Sequence, residues 1–417
     1  MPLLRPSVFL SSRAARLIGG AALSLLGLIA AIQGRAGDHS PAAQPGLAHS
    51  RPEQGRAVET AAGFMVAYQQ KIPGSKVAME MEPIPGGTST IGSPRAETGR
   101  KPDEGPQFAV KIDPFWIGKY EVTWAEYQQF MQLCDVFSRF NELGIRQVTE
   151  QNQVDAITAP SKLYDPSFTF QSGEDPRLPA VSMSQYAAKQ FTKWLSLLTG
   201  TFYRLPTEAE WEHACRAGTS TAYSFGNDPA QLDQYAWYTD NSDWEAHPVG
   251  QKRPNPWGLY DMHGNVEEWV LDQYDARWYA GLKGRSITAA EAILWPTQLY
   301  PRVLRGGSWD DEPSACRSAS RGQSDDDQWR GYDPNEPKSP WWFASDASQD
   351  VGFRIVRPLE PPPRDQWSKY WDADLEEIRR VADFRIDEEG RGQRGLVDPT
   401  LPQAIKQLSE ASNPRQP

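Results

Sequence analysis

The sequence predicts a globular, loop-rich domain that mixes strands with helices. Three observations carry this. Hydrophobic residues make up 39% and charged residues 23% of the 417, a balance that suits a packed soluble protein. The 35 Pro and 33 Gly assign much of the chain to loops and turns. Helix-start signals lie between runs that alternate apolar with polar residues. The length allows one large domain or two ordinary ones. The 16 Trp predict an aromatic-rich core.

The first segment reads as an export signal, residues 1–36. Arg5, Arg13 and Arg16 precede the apolar run Leu17–Ile32, and Gly34-Arg35-Ala36 offers a small-residue cleavage site. That run is short for a spanning helix; an uncleaved membrane anchor is the alternative, and no later stretch is apolar enough to cross a bilayer. Removing the segment takes four Arg and no acids, so the net charge moves from −11 to −15 (−11 minus 4). Such an acidic chain, with no basic cluster, is a poor match for nucleic acid. The expected location is therefore outside the cytoplasm: periplasm, cell envelope or exterior.

Residues 37–76 read as a linker rich in Pro, Ala, Gly and Gln, with a short lead-in helix over Glu59–Gln70. From Lys76, KVAMEMEPIPGGTSTIGSP predicts a strand and a hairpin turning at Pro85-Gly86-Gly87, and Phe108–Thr123 predicts further strand. Three helices follow. Thr123-x-x-Glu126 and Thr207-x-x-Glu210 are capping boxes, and Ser182-x-x-Gln185 is read as the third helix start. That last helix puts Ala187, Phe191, Trp194, Leu195 and Leu198 on one face and stops at Gly200. Cys134–Leu178 is read as mostly loop. Val351–Val356 reads as a buried closing strand. Residues 358–417 read as a tail: a stiff PLEPPPR linker, then a short helix within Asp372–Arg385.

The chemistry-bearing stretch is Arg302–Arg321, RVLRGGSWDDEPSACRSASR. Gly306-Gly307 frees the backbone to turn, Ser308 and Trp309 follow, then Asp310, Asp311 and Glu312, and then Cys316 among Arg305, Arg317 and Arg321. A reactive thiol in a glycine turn and a structural turn pinned by Trp309 are both consistent with these residues. The three Cys, at 134, 215 and 316, leave at least one thiol unpaired within the chain and have no zinc spacing. Cys316 reads either as a thiol activated by Arg305 or Arg317, or as a buried inert one, and burial is the commoner state of a free Cys. Cys215, inside a helix, reads as core. His213 and His263 read as packing or surface residues.

Several motifs together name a family. YRLPTEAEWEHACRAG (203–218), NPWGLYDMHGNVEEW (255–269), LRGGSW…CRSASR (304–321) and GFRIVR (352–357) stand in that order, preceded by GGTSTIGSP and FWIGKYEVTWAEY. The chain thereby resembles the formylglycine-generating enzymes, the sulfatase-modifying factors, over residues 77–357. The resemblance implies a single α+β domain of their type, a loop-rich variant of the C-type lectin fold. It implies a structural calcium ion held by carboxylates of Asp261 and Glu268 and carbonyls of Gly264 and Val266, hard oxygen donors of the kind calcium takes. It also implies, for the founding enzymes, oxidation of a sulfatase cysteine with oxygen and one copper ion held by two cysteines.

Here the match departs from the family. Aligned on RGGS, the copper cysteines fall at Asp311 and Cys316, so one thiolate is replaced by a carboxylate. Cu(I) is soft and prefers a thiolate pair, which predicts that copper is not held. Glu267 stands where an aromatic is usual and Ala315 where a larger side chain is usual, while Ser308 is kept. The candidate catalytic set by family position is Cys316, Ser308 and Asp311. Fold does not decide function, and the expectation is a calcium-stabilised binding or assembly module for an extended peptide or an envelope protein. A divergent formylglycine-generating oxidase is the alternative. The long loop 323–351, with Pro340–Phe343 (PWWF), is expected either to cover the cleft or dock a partner, or to pack on the tail. Its Asp325–Asp327 run reads as solvated.

Overall fold

The computed structural model describes residues 44–163, 166–325, 329 and 339–412. The expected signal, residues 1–36, lies outside the described residues, as do Asp326 and Asp327 and the centre of the long loop. From Pro45 onward the chain forms one unit.

That unit opens on strands. β1 (Leu47–Ala48), β2 (Ala57–Thr60) and β3 (Gly63–Val66) pair in the order β1-β3-β2. The expected lead-in helix over Glu59–Gln70 is therefore absent. Thr60 and Gly63 close a tight hairpin, with Gly63 at φ 125°, and a Cβ there would press on the Ala48 carbonyl. β4 (Tyr68–Lys71) and β5 (Ala78–Ile84) follow, then β6 (Gly87–Ile91), β7 (Phe108–Ile112) and β8 (Phe115–Gly118). Pro85-Gly86-Gly87 is a crossing rather than a hairpin. β5 pairs with β8 while β6 pairs with β7, and Gly86 threads past Ile112 and Pro114 where a side chain would clash.

Helices α1 (Trp124–Met131) and α2 (Leu133–Glu142) come next. The Thr123 capping box forms as expected. α2 occupies part of the stretch read as loop, and buries Leu133, Phe137 and Phe140 on one face. β9 (Ala156–Ala159) and α3 (Pro166–Thr169) fill more of that stretch. α4 (Gln185–Thr199) is capped by Ser184, not Ser182: Ser184 Oγ accepts from Ala187 N, while Ser182 sits at φ 65° with its N–H turned to the carbonyls of Ser348 and Val351. Gly200 ends α4 in the left-handed region. α5 (Glu208–Arg216) carries the expected Thr207 box.

Then come β10 (Glu267–Gln273), α6 (Trp278–Leu282), β11 (Ile287–Thr288), α7 (Ala289–Ala292), β12 (Arg302–Arg305), β13 (Gly322–Gln323), β14 (Val351–Gly352) and β15 (Val356–Pro358). The expected closing strand is thus split. β14 lies on β10 and β15 on β8, so Phe353–Ile355 steps from one sheet to the other. The two four-stranded sheets run β13-β12-β10-β14 and β15-β8-β5-β4. Beside them lies an aromatic core: Tyr127 stacks on Phe191 (centroids 5.7 Å) and meets Phe130, Trp342 and Phe353 edge-on. Each such buried ring stabilises the fold by about 2–3 kcal/mol.

The tail is part of this core. α8 (Ser368–Trp371), α9 (Glu376–Asp387), β16 (Gln393–Leu396) and α10 (Leu401–Ser412) return over the domain. β16 pairs antiparallel with β9. Trp371 is buried and donates to the Tyr203 carbonyl at 2.8 Å, and Gln190 donates to the Trp371 carbonyl at 2.9 Å. The PWWF residues point inward: Trp341 donates to Thr158 Oγ1 (3.3 Å) and Trp342 to the Ser161 carbonyl (2.8 Å). Gly392, at φ 71°, lies flat on the Trp341 ring, which decides for packing on the tail over covering the cleft. Gly392→Ala would add a clash and a strained backbone. We expect it to lower the urea midpoint by the equivalent of about 2–4 kcal/mol with an unchanged slope. A wild-type midpoint would show that the tail does not pack there.

Candidate functional site

Two chain segments converge on one end of β10. β12 runs antiparallel to it, pairing Arg305 with Glu268, and leads straight into Gly306 and Gly307. β14 runs parallel to it, pairing Val351 with Glu267, so Asp350 arrives alongside. The Glu267 N–H donates to the Asp350 carbonyl at 2.7 Å. Gly306 (φ 108°) and Gly307 (φ 71°) turn the chain back so tightly that a Cβ on Gly307 would lie 2.9 Å from Cys316 Sγ.

The turn brings two of the three candidate catalytic residues into contact. Ser308 N and Oγ donate to Asp311 Oδ2 at 2.9 and 3.0 Å. Ser308 Oγ also lies 2.8 Å from Asp350 Oδ2, a residue the sequence reading did not single out. Its signal was only an acid just before the GFR motif; the parallel pairing of β14 with β10 is what places it. Glu267 completes the group. Burial raises its carboxyl well above the ordinary value, and Asp311 and Asp350 raise it further, with Lys101 opposing. Burial lifts Asp350 to about 7, Ser308 holds it back, and Asp311 adds to the lift. Asp311 is raised as well, chiefly by burial.

Cys316 lies beneath the turn, fully buried. Burial pushes its thiol well up, and Asp311, Glu267 and Glu312 push it further. The two arginines considered as activators are engaged elsewhere. Arg305 Nη2 donates to Glu212 (2.6 Å) and its Nη1 to the Ser320 carbonyl (2.6 Å). Arg317 pairs with Glu104 and Glu97, both at 2.5 Å. Burial of the thiol and the engagement of both arginines elsewhere favour the buried reading of Cys316 over the arginine-activated one. A copper site does not fit these residues. A soft ion would meet a single thiol among hard carboxylates. Cys215 is buried too, with Sγ 3.3 Å from the Met262 carbonyl, as the core reading required. His263 accepts from Ser224 N and lies 2.9 Å from the Cys316 carbonyl, a packing role, and burial lowers it to about 4.

On the outer side of the Glu312–Arg317 segment is a cleft of about 700 Å³, bordered by Glu97, Thr98, Tyr223, Asn227, Glu312 and Ser314. Its size is that of a site for a small molecule or a stretch of peptide.

The candidate calcium loop lies before β10. Asp261 (φ 60°) and Asn265 (φ 73°) are left-handed, and Gly264 passes so close to the Trp237 carbonyl that no side chain fits. Asp261 Oδ2 accepts from Gly250 N at 2.8 Å, while its Oδ1 is buried without a partner. Glu268 is gripped by Arg354, Nε to Oε2 and Nη2 to Oε1, both at 2.6 Å, and accepts from Trp211 Nε1 at 2.8 Å. Glu121, which the sequence reading passed over, accepts from Asn265 Nδ2 (2.7 Å) and Val266 N (3.1 Å). Three buried carboxylates thus gather around one guanidinium, and burial, then Asp261 and Glu268, hold Glu121 well above its ordinary value. Among the described residues no three His, Cys, Asp or Glu side chains are disposed as a metal cluster. The oxygens suit a hard cation in kind and charge, but a bound ion would lean on backbone carbonyls and on Asp261 Oδ1.

A sequence profile of the sulfatase-modifying factor enzyme 1-like domain matches residues 69–332, more than half of the chain. The formylglycine-generating enzyme of Thermomonospora curvata is 28% identical over 269 residues, covering 58% of this chain and 86% of that one. The serine/threonine-protein kinase pkn1 of Chlamydia pneumoniae is 28% identical over 262 residues, covering 62% of this chain. The match spans only 37% of that kinase. The chaperone protein LppX of Paenibacillus barcinonensis is 27% identical over 273 residues, covering 60% and 81% of the two chains.

The carboxyl cluster makes stability depend on pH with a defined sign. Asp350 moves from 3.8 to about 7 on folding, so the folded state holds extra protons in that window and stability falls as pH rises through it. Asp350→Asn removes one of the charges. We expect it to recover about 1–2 kcal/mol at pH 8 while changing little at pH 4.5. Thermal unfolding at the two pH values checks this, and curves parallel to wild type would show that the cluster does not titrate as described.

Proposed function

The chain belongs to the sulfatase-modifying factor family, and from that premise we propose that it is a member without copper oxidase activity that serves as a binding or assembly module. One observation carries the reading. Where the oxidases hold copper between two thiolates, this chain sets Asp311 against Ser308, with Asp350 and Glu267 beside it and the buried thiol of Cys316 below. The family domain occurs in relatives bearing kinase and chaperone names, which fits a scaffold used for more than one purpose. The cleft beside Glu312 has room for an extended peptide or a segment of an envelope protein. The basic and apolar start of the chain supports export to the periplasm, envelope or exterior, with an uncleaved signal as a membrane anchor in the alternative. Among the described residues no helix is long and apolar enough to cross a membrane.

Calcium belongs to the same proposal as a structural ion. Asp261 Oδ1 and the carbonyls of Gly264 and Val266 would hold it, and Glu268, the other expected ligand, would have to share oxygens already bound by Arg354 and Trp211. The ion's charge would offset the excess of carboxylate around Arg354.

Two measurements test these readings. Titration with Cu(I) against a competing chelator should show no stoichiometric tight binding, and a Cys-x-Pro-x-Arg peptide should acquire no aldehyde. Asp311→Cys should raise copper affinity at least about tenfold, since it restores a thiolate pair. Tight copper and aldehyde formation in the wild-type chain would instead establish the divergent oxidase. For calcium, back-addition to chelator-treated protein should raise the melting temperature by about 2–5 °C. An unchanged melting temperature with no bound ion would remove calcium from the proposal.

A further inference from the structure

Arg302, at the start of β12, and Lys189, in α4, are deeply buried cations: their side chains are 4% and 3% exposed. Both lie within the stretch that matches the family. Their counter-ion does not. Asp374 reaches in from the C-terminal segment, where Arg302 Nη1 and Nη2 grip its two oxygens at 2.9 and 3.0 Å. Lys189 Nζ donates to the same carboxylate at 3.1 Å. Gln185 Oε1 and the Leu299 carbonyl, both 3.0 Å from the guanidinium, fix its plane. One turn along α4, Lys193 pairs with Asp372 at 2.7 Å, so that second contact belongs to the same approach of the tail.

A cavity of about 60 Å³ adjoins this group, lined by Trp269, Tyr300, Phe343, Ile378 and Glu377. It has room for about two water-sized groups. A planar fork backed by a point charge, over an aromatic floor, is how proteins hold carboxylate and phosphate groups. Burial pushes the Asp374 carboxyl up, but Lys189 and Arg302 outweigh it and hold it at about 2.

We infer that Arg302 and Lys189 form an oxyanion-binding site for a carboxylate or phosphate group, and that Asp374 is its built-in occupant. The C-terminal segment docks by filling this site as a ligand would. Removing the carboxylate while keeping the segment leaves a preformed site open to a free anion. The inference is independent of the copper and calcium readings.

The test uses the full chain with Asp374→Ala, unfolded thermally in increasing acetate or inorganic phosphate, with chloride at matched ionic strength as control. The variant should melt several degrees below wild type and recover at least half of that loss, saturably, in one of the two oxyanions. Recovery in acetate alone marks a carboxylate site, and recovery in phosphate a phosphate site. Wild type, its site already filled, should follow the chloride control. Adding Arg302→Gln should abolish the recovery. If Asp374→Ala does not fold, Asp374→Asn keeps the volume without the charge and should show the same saturable shift. Absence of any oxyanion-specific shift in the folded variant, or an equal shift with Arg302→Gln, would overturn the inference.

Discussion

One buried ion pair holds the centre of this fold. Arg354 follows β14 and closes a two-point grip on Glu268 of β10. The same guanidinium donates to the Gly118 carbonyl at the end of β8 and to the Tyr260 carbonyl ahead of the candidate calcium loop. Trp211 of α5 holds the other side of Glu268. Five segments thus meet on one carboxylate and its partner. Neither group reaches water, so losing either strands a charge at a cost of about 3–5 kcal/mol. This grip also fixes the end of β10 from which Glu267 projects, and so aligns the site with the sheet.

The proposed loss of copper chemistry rests on a small sequence change. The backbone frame of an oxidase turn is intact: two left-handed glycines, the serine and one cysteine. Replacing sulfur by a carboxylate at 311 changes more than a ligand. The new charge lies near Glu267 and Asp350, and the three share too few cations to be ionised together at ordinary cost. The serine hydroxyl that links Asp311 and Asp350 stabilises whichever of them carries the charge. The thiol below is then disfavoured as an anion by its new neighbours.

Much of the frame was legible in the sequence because local rules settled it. The Thr123 and Thr207 capping boxes and the Gly200 stop are short-range devices, and all three formed. The readings that failed were those where distant partners decide. Glu59–Gln70 carries only Gly63 against a helix, and becomes strand because that glycine turns the chain and β1 and β5 offer ladders to it. Ser182 resembles a cap, but the chain near Val351 claims its backbone and the cap moves to Ser184. Of the site, the motif gave Ser308, Asp311 and Cys316, while Asp350 depended on a parallel pairing that no spacing reveals. The state of Cys316 likewise depended on where Arg305 and Arg317 found their acids.

The returning tail has a consequence for how the molecule is made. β9 lies in the first half of the chain, yet its partner strand is β16, more than two hundred residues later. The Trp341 ring is capped by Gly392, and Tyr203 by Trp371. A chain emerging from the ribosome therefore carries an open strand edge and an uncovered tryptophan until residues 371–396 arrive. Closing such distant contacts is slow, and the exposed edge invites pairing with another chain. Cooperative folding of this unit then waits for residues 371–396. A product ended early by a stop codon or a protease is an unfinished domain rather than a shorter one.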